Sequence, residues 1–224
     1  MRDDLAEQAA GVGSLAEPTR RALYQYVTAQ PDAVDREQAA VAVGVPRHTA
    51  KFHLDRLVGE GLLDVEFRRL SGRTGPGAGR PAKLYRRSTR QFAVSLPERR
   101  YDLAGDVLAT AIDRALRDGT PVADAVRDAA AEEGRRMAAD GAAGSDDLER
   151  TADVLARHGY EPHTSEREIC LANCPFDRLA AEHTDLVCGM NLALIDGVID
   201  ALDARTANAE LAPQPGFCCV KVRG

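Results

Sequence analysis

The stretch DREQAAVAVGVPRHTAKFHLDRLVGEG, residues 35–61, decides the fold of the N-terminal part of this 224-residue chain. Asp35 to Val43 predicts a short helix with Ala39, Ala40 and Val43 turned inward. Gly44 is a turn residue, since without a Cβ it takes a positive φ at no steric cost. Val45 then plugs the gap between two helices. Pro46 to Glu60 predicts the next helix, closed at Gly61. On it Ala50, Leu54, Leu57 and Val58 recur at helical spacing and form the buried face. The opposite face carries His48, Lys51, Phe52 and Asp55, with Arg47 and Thr49 near the helix start.

Upstream, Pro18 to Ala29 predicts a helix with proline at its first position and Leu23, Tyr26 and Val27 on one apolar face. Downstream, Leu62 to Phe67 predicts a strand and Lys83 to Arg87 a returning one. Between them Leu70 to Ala82, rich in Gly, Pro and Arg, predicts a loop. Helix, helix, tight turn, helix and β-hairpin make a winged helix-turn-helix. Arg47, His48, Thr49 and Lys51 then face base edges in the major groove of double-stranded DNA. Arg69, Arg73, Arg80 and Lys83 on the wing meet phosphates or the minor groove. Four such contacts imply a slope of roughly −3 to −4 in log K against log salt. Phe52 either touches a thymine methyl group or packs against another part of the domain, packing being the expectation, and His53 is expected to make a local hydrogen bond beside the buried stripe. Residues 71–80, SGRTGPGAGR, are no phosphate loop: Gly-Lys-Ser/Thr is missing and no helix follows.

Charge agrees with this division. Residues 1–100 carry 17 Lys/Arg against 12 Asp/Glu, and residues 101–224 carry 12 against 23. Ten basic residues and one acid, Glu98, fall between Arg68 and Arg100. A basic stripe on an acidic chain marks a local site for a polyanion. No apolar run approaches a membrane span and no secretory signal opens the chain, so the expectation is a cytoplasmic protein that does not enter a membrane.

Beyond Pro97, Leu103, Val107, Leu108, Ala111, Ile112, Ala115 and Leu116 predict an amphipathic helix to Asp118, serving as core or as a dimer contact. A second helix opens at Thr120-Pro121 and runs to Ala139, and a third, capped by Ser145, runs to Arg157. A strand at Ile169–Leu171, a short helix from Pro175, an apolar helix from Asp185 to Leu202 and a strand from Phe217 to Val222 complete the chain. The fold class is therefore α+β and helix-rich: a winged helix-turn-helix DNA-binding domain, residues 1–95, then an α+β cysteine-bearing sensor and dimerisation domain, residues 96–224. Palindromic operators make a homodimer the expected assembly.

All five cysteines, Cys170, Cys174, Cys188, Cys218 and Cys219, lie in the last 55 residues. In a reducing compartment such a patch points to metal or redox chemistry. The spacing matches neither a zinc ribbon nor the ferredoxin runs. Cys174 precedes a helix start and Cys188 lies near the next one, where the positive helix end favours thiolate. Cys218 and Cys219, adjacent on a strand, point to opposite faces, so one of them faces the site. Three soft thiolates from a loop, a helix and a terminal segment suit an iron–sulfur cluster or Zn(II). Cys170 is a weaker ligand choice, His183 offers a nitrogen, and His158 and His163 read as surface residues.

Leu15-x2-Pro18-x-Arg20, His48-Thr49-x3-Phe52-His53-Leu54-Asp55-Arg56-Leu57, Gly61-Leu62-Leu63 and Gly79-Arg80-Pro81-Ala82-Lys83-Leu84-Tyr85 together resemble the winged-helix domain of SufR-type regulators, ArsR/DeoR-like bacterial transcription factors. Asn173-Cys174-Pro175-Phe176, Leu186-Val187-Cys188 and Phe217-Cys218-Cys219-Val220 resemble the cysteine-bearing domain of the same family. The resemblance implies a homodimeric, usually repressing regulator of cluster-assembly (suf) genes. It also implies an iron–sulfur cluster, 4Fe–4S in preference to 2Fe–2S, held by Cys174, Cys188 and a terminal cysteine. The Cys218-Cys219 pair and the extra Cys170 depart from that pattern. Two other readings stand beside it: a zinc- or thiol-redox-sensing winged-helix regulator, and, remotely, a thiol-dependent enzyme fused to a DNA-binding domain. No general-base or cofactor motif supports the enzyme.

Overall fold

The computed structural model describes residues 2–69 and 81–224, with residues 2–4 described by their helical backbone alone. The chain falls into two compact units, Met1–Val94 and Ser95–Gly224.

The first unit is built from α1 (Arg2–Ser14), α2 (Pro18–Ala29), β1 (Val34–Asp35), α3 (Arg36–Val43), α4 (Arg47–Gly59), β2 (Leu63–Arg68) and β3 (Ala82–Arg87). Local chemistry fixes the helix ends. The Glu17 carboxylate accepts the Thr19 and Arg20 amides at the start of α2. Asp35 and Gln38 form a reciprocal capping box on α3, satisfying two otherwise orphaned groups. Gly44 closes α3 at φ 72°, the left-handed geometry its sequence position requires. Leu23, Val27, Ala39, Ala40, Ala50, Leu54 and Leu57 form one core with Leu63 and Tyr85 of the hairpin, and Val45 and Val58 pack against it. The antiparallel sheet has the order β1-β3-β2, Tyr85 standing opposite both Val34 and Val65. This is the winged helix-turn-helix arrangement. Two elements come in addition to those read from the sequence: α1, whose apolar pattern is weak, and the two-residue β1. The loop read over residues 70–82 lies largely outside the described residues.

The second unit contains α5 (Tyr101–Asp118), α6 (Val122–Met137), α7 (Asp147–Arg157), β4 (Pro162–Thr164), β5 (Glu168–Leu171), α8 (Asp177–Glu182), α9 (Thr184–Ala201), β6 (Asn208–Leu211) and β7 (Val220–Arg223). Its strands form an antiparallel sheet of order β4-β5-β7-β6. Helices α6 and α9 approach at backbone distance. A Cβ on Gly134 would lie 1.9 Å from the Leu194 carbonyl oxygen, and one on Gly197 would lie 2.1 Å from that of Ala131. The surrounding core takes Val107 and Ala111 from α5, Ile169 and Leu171 from β5, Leu194, Ile195 and Val198 from α9, and Val220 and Val222 from β7. On α5 the predicted stripe is only partly buried, since Ile112 and Leu116 are exposed.

Two local expectations are corrected. Asp146, not Ser145, caps α7, accepting the Glu149 amide, while Ser145 gives its amide and hydroxyl to the Glu149 carboxylate. The terminal strand begins at Val220, not Phe217. A turn at Pro215-Gly216, with Gly216 at φ 81°, precedes it, and the Cys218 amide donates to the Leu171 carbonyl at 2.8 Å. Cys218 and Cys219 therefore stand before the strand and escape its two-sided alternation.

Candidate functional site

In the first unit the chemistry gathers on the outer face of α4. Arg47, His48 and Lys51 are exposed there, and Thr49 is half-buried. Arg36, Arg47, His48 and Lys51 line a shallow depression of about 340 Å³. The Arg47–Glu37 ion pair at 2.9 Å joins two side chains that are each 57% exposed, so it holds Arg47 weakly. Arg36 is absent from the residues singled out in the sequence. A cation in the first turn of a helix opposes the helix dipole, and that mismatch is the signal that could have found it.

Lys83 stands differently from its expected role on the wing. Its ammonium lies 2.5 Å from Asp55 Oδ1 and over the Tyr85 ring, and the Tyr85 hydroxyl donates to the same oxygen at 2.9 Å. Partial burial raises the Asp55 carboxyl, but Lys83, Tyr85 and Lys51 outweigh it and hold the group below its usual range. Burial, then Asp55, pushes the Tyr85 phenol far up. Arg69 is exposed, whereas Arg73 and Arg80 lie outside the described residues. Phe52 does not pack into the domain as expected: it is 65% exposed and meets only the edge of His53 among aromatic rings. Its place on the outer arc of α4, opposite Ala50, Leu54 and Leu57, gives it no core to enter. His53 takes the expected structural role, accepting from Arg20 Nε with Glu17 3.5 Å away.

In the second unit Cys174, Cys188, Cys218 and Cys219 lie near enough for their thiols to shift one another: Cys218 acts on Cys174 and Cys219, and Cys188 acts on both of those. All are free thiols, Cys188 and Cys218 buried and the other two half-buried. The Val220 amide pulls the Cys218 thiol down, and the Phe176 amide pulls on Cys174 in the same sense. Donation from Cys174, then from Cys219, holds the Cys218 thiol far below its usual range against the cost of burial. The Cys174 and Cys219 thiols are pushed up, first by donating to Cys218 and then by burial. Cys218 is thus the thiol held down and Cys174 the one held up. The Phe176 amide pulls as expected, but the bond to Cys218 outweighs it.

Two residues the sequence reading passed over support that sulfur. Asn191 Nδ2 donates to Cys218 Sγ at 3.2 Å, and Asn191 Oδ1 accepts the Tyr160 hydroxyl at 2.5 Å. Both side chains are buried. A lone Asn inside the apolar run of α9 is the signal that was available. The Cys174 loop is pinned separately. Asn173 Nδ2 donates to the Glu98 and Gly159 carbonyls, and Arg99 donates to Asn173 Oδ1 and to the Cys174 carbonyl.

Both terminal cysteines join the group, where one was expected. Cys170 stands apart on β5, opposite His163 and Lys221 and 3.5 Å from Glu168 Oε1, on the face turned away from buried Ile169 and Leu171. His183 is exposed between α8 and α9, and His158 is half-buried with its pKa lowered, chiefly by burial. Among the described residues no three His, Cys, Asp or Glu side chains converge as they stand to hold a metal ion.

Residues 15–66 match the family described as helix-turn-helix domain, of the ArsR-type winged kind. The match runs from just before α2 into β2 and so takes in the turn at Gly44 and the whole of α4. It supports a DNA-binding transcription regulator rather than an enzyme. No curated protein and no solved structure matches the chain. No helix among the described residues is long and apolar enough to cross a membrane.

Proposed function

We propose that the chain is a homodimeric transcription regulator, acting as a repressor, whose affinity for operator DNA is set by a cysteine-held iron–sulfur cluster in the second unit. The regulated genes in this reading are those of cluster assembly, as the SufR-type resemblance implies. The observation that carries it is the gathering of four thiols, Cys188 and Cys218 buried and Cys174 and Cys219 half-buried, with the Asn191 N–H aimed at Cys218. Soft sulfur donors in an apolar shell, with N–H donors directed at sulfur, fit the needs of such a cluster. Bound there, a cluster supplies an oxygen- and redox-sensitive tie between the Cys174 loop, α9 and the C-terminal segment. Cys174, Cys188, Cys218 and Cys219 would hold it as thiolates, and Asn191 would keep its N–H on the Cys218 sulfur. Cys170 takes no part.

DNA affinity can follow only if the tied and untied forms bind DNA differently, and such coupling is commonly about 5–150-fold. The test is fluorescence anisotropy on an operator selected from random duplexes, with anaerobically loaded protein, stripped protein and Cys218→Ser. The expected result is a dissociation constant that changes with loading in the wild type and not in the variant. Equal constants for loaded and stripped wild type would refute the reading. A zinc- or thiol-redox regulator is the second reading, favoured by the lowered Cys218 thiol that two neighbouring thiols act on, an arrangement suited to disulfide exchange. It predicts colourless protein whose DNA affinity follows zinc or disulfide state.

A further inference from the structure

Phe52 stands out on the outer face of α4. Arg47, His48, Lys51, Phe52, Arg56 and Gly59 are the exposed residues of α4, and Phe52 alone among them has a large apolar side chain. His48, Lys51, Phe52 and Asp55 follow the i, i+3, i+4, i+7 spacing that sets side chains on one helix face. Phe52 therefore stands beside the depression lined by Arg36, Arg47, His48 and Lys51, whose charge suits a polyanion. The ring is braced. His53 meets it edge-on, with centroids 5.2 Å apart and planes at 73°, and His53 itself is held by Arg20 and Glu17. A braced, outward aromatic ring among cations has a shape and polarity that matter on the DNA side.

In the major groove the polar groups of every base pair offer hydrogen bonds, and thymine alone adds a methyl group. A phenyl ring has no hydrogen bond to give, so the methyl is the group it discriminates. We propose that Phe52 is a specificity-determining residue that selects thymine by packing on its C5-methyl, in each half of the operator. Arg36, at the edge of that depression, holds a phosphate and helps to fix the register. The proposal rests on the DNA-binding part of the reading above and is independent of the cluster.

Deoxyuridine differs from thymidine by that methyl alone, which makes the test narrow. Operators are first selected from random duplexes with the full-length wild type, Phe52→Ala and Phe52→Leu. Each thymine of the wild-type operator is then replaced singly by deoxyuridine, and affinities are read by anisotropy. The expected result is one thymine per half-site at which deoxyuridine weakens the wild type about fourfold, the worth of one buried methyl group. At that position Phe52→Ala binds thymine and deoxyuridine equally and selects any base, while Phe52→Leu keeps part of the preference. Three results overturn the proposal: no thymine sensitive to the change, equal sensitivity in wild type and Phe52→Ala, or a Phe52→Ala that loses affinity evenly for all sequences. A wild type that selects no sequence at all overturns it together with the DNA-binding reading beneath it.

Discussion

Asn191→Leu probes the thiol group without touching a cysteine. Leucine has nearly the shape of asparagine but neither donates to Cys218 Sγ nor accepts from Tyr160. Losing a hydrogen bond to a charged sulfur costs about 1.5–3 kcal/mol, and stranding the buried Tyr160 hydroxyl costs about 1–3 kcal/mol more. Burial of the added apolar surface returns about 1–2 kcal/mol. The net loss centres on about 3 kcal/mol, a large part of the stability of an ordinary domain. The two costs separate in a double-mutant cycle, because Tyr160→Phe removes the hydroxyl that Asn191→Leu strands. The double variant should therefore cost at least about 1 kcal/mol less than the sum of the single ones. All five cysteines lie in the second unit, so pulsed thiol alkylation across a urea series reports on that unit alone. Reduced, metal-free protein is the right material. A loss below about 1 kcal/mol for Asn191→Leu, or single effects that simply add, would show that this amide does not bridge the phenol and the sulfur.

Gly134→Ala should destabilise the second unit by about 3 kcal/mol or more in the same assay, because its Cβ would meet the Leu194 carbonyl and neither backbone can yield cheaply. A loss under about 1 kcal/mol would mean that α6 and α9 stand further apart. Arg36→Ala should weaken binding to all duplexes alike and reduce the salt slope by about 1, measured by anisotropy from low to physiological salt; an unchanged slope removes Arg36 from the interface. Loading metal-free protein with zinc at pH 7 should release one proton each from Cys174 and Cys219, whose thiols are held up, and none from Cys218, whose thiol is held down. Calorimetry in buffers of different ionisation enthalpy counts them. The sign reverses with pH: a raised thiol loses its proton early in the unfolded chain, so Cys174 and Cys219 lower stability above about pH 9. The Cys218 contribution is full there and fades as pH falls toward its lowered pKa.

The first unit was legible because its signals are local. Gly44 stops one helix, Leu54 and Leu57 mark the buried face of the next, and both lie within a few residues of what they determine. Helix α1 was missed because its alanines and glycines leave little apolar period. The second unit was legible as a list of helices, with the site only half visible. The run Phe217-Cys218-Cys219-Val220 has the composition of a strand, but the turn at Pro215-Gly216 delays the strand to Val220 and lets both cysteines reach one group. Asn191 gains its meaning from Cys218, 27 residues away, and Lys83 from Asp55, 28 residues away. Such pairings are made by topology, and no window of sequence contains them. Phe52 was misjudged for the opposite reason: an aromatic residue is usually buried, and only the fold shows it exposed among the described residues.

The central claim is that the four gathered thiols hold an iron–sulfur cluster. Quantifying iron, acid-labile sulfide and zinc in anaerobically purified wild type, Cys174→Ser and Cys170→Ser tests it most directly. The account predicts brown wild-type protein with iron and sulfide in equal amounts, the same in Cys170→Ser, and loss of both in Cys174→Ser. Colourless wild-type protein without iron or sulfide, or a Cys174→Ser variant that keeps them, would contradict it.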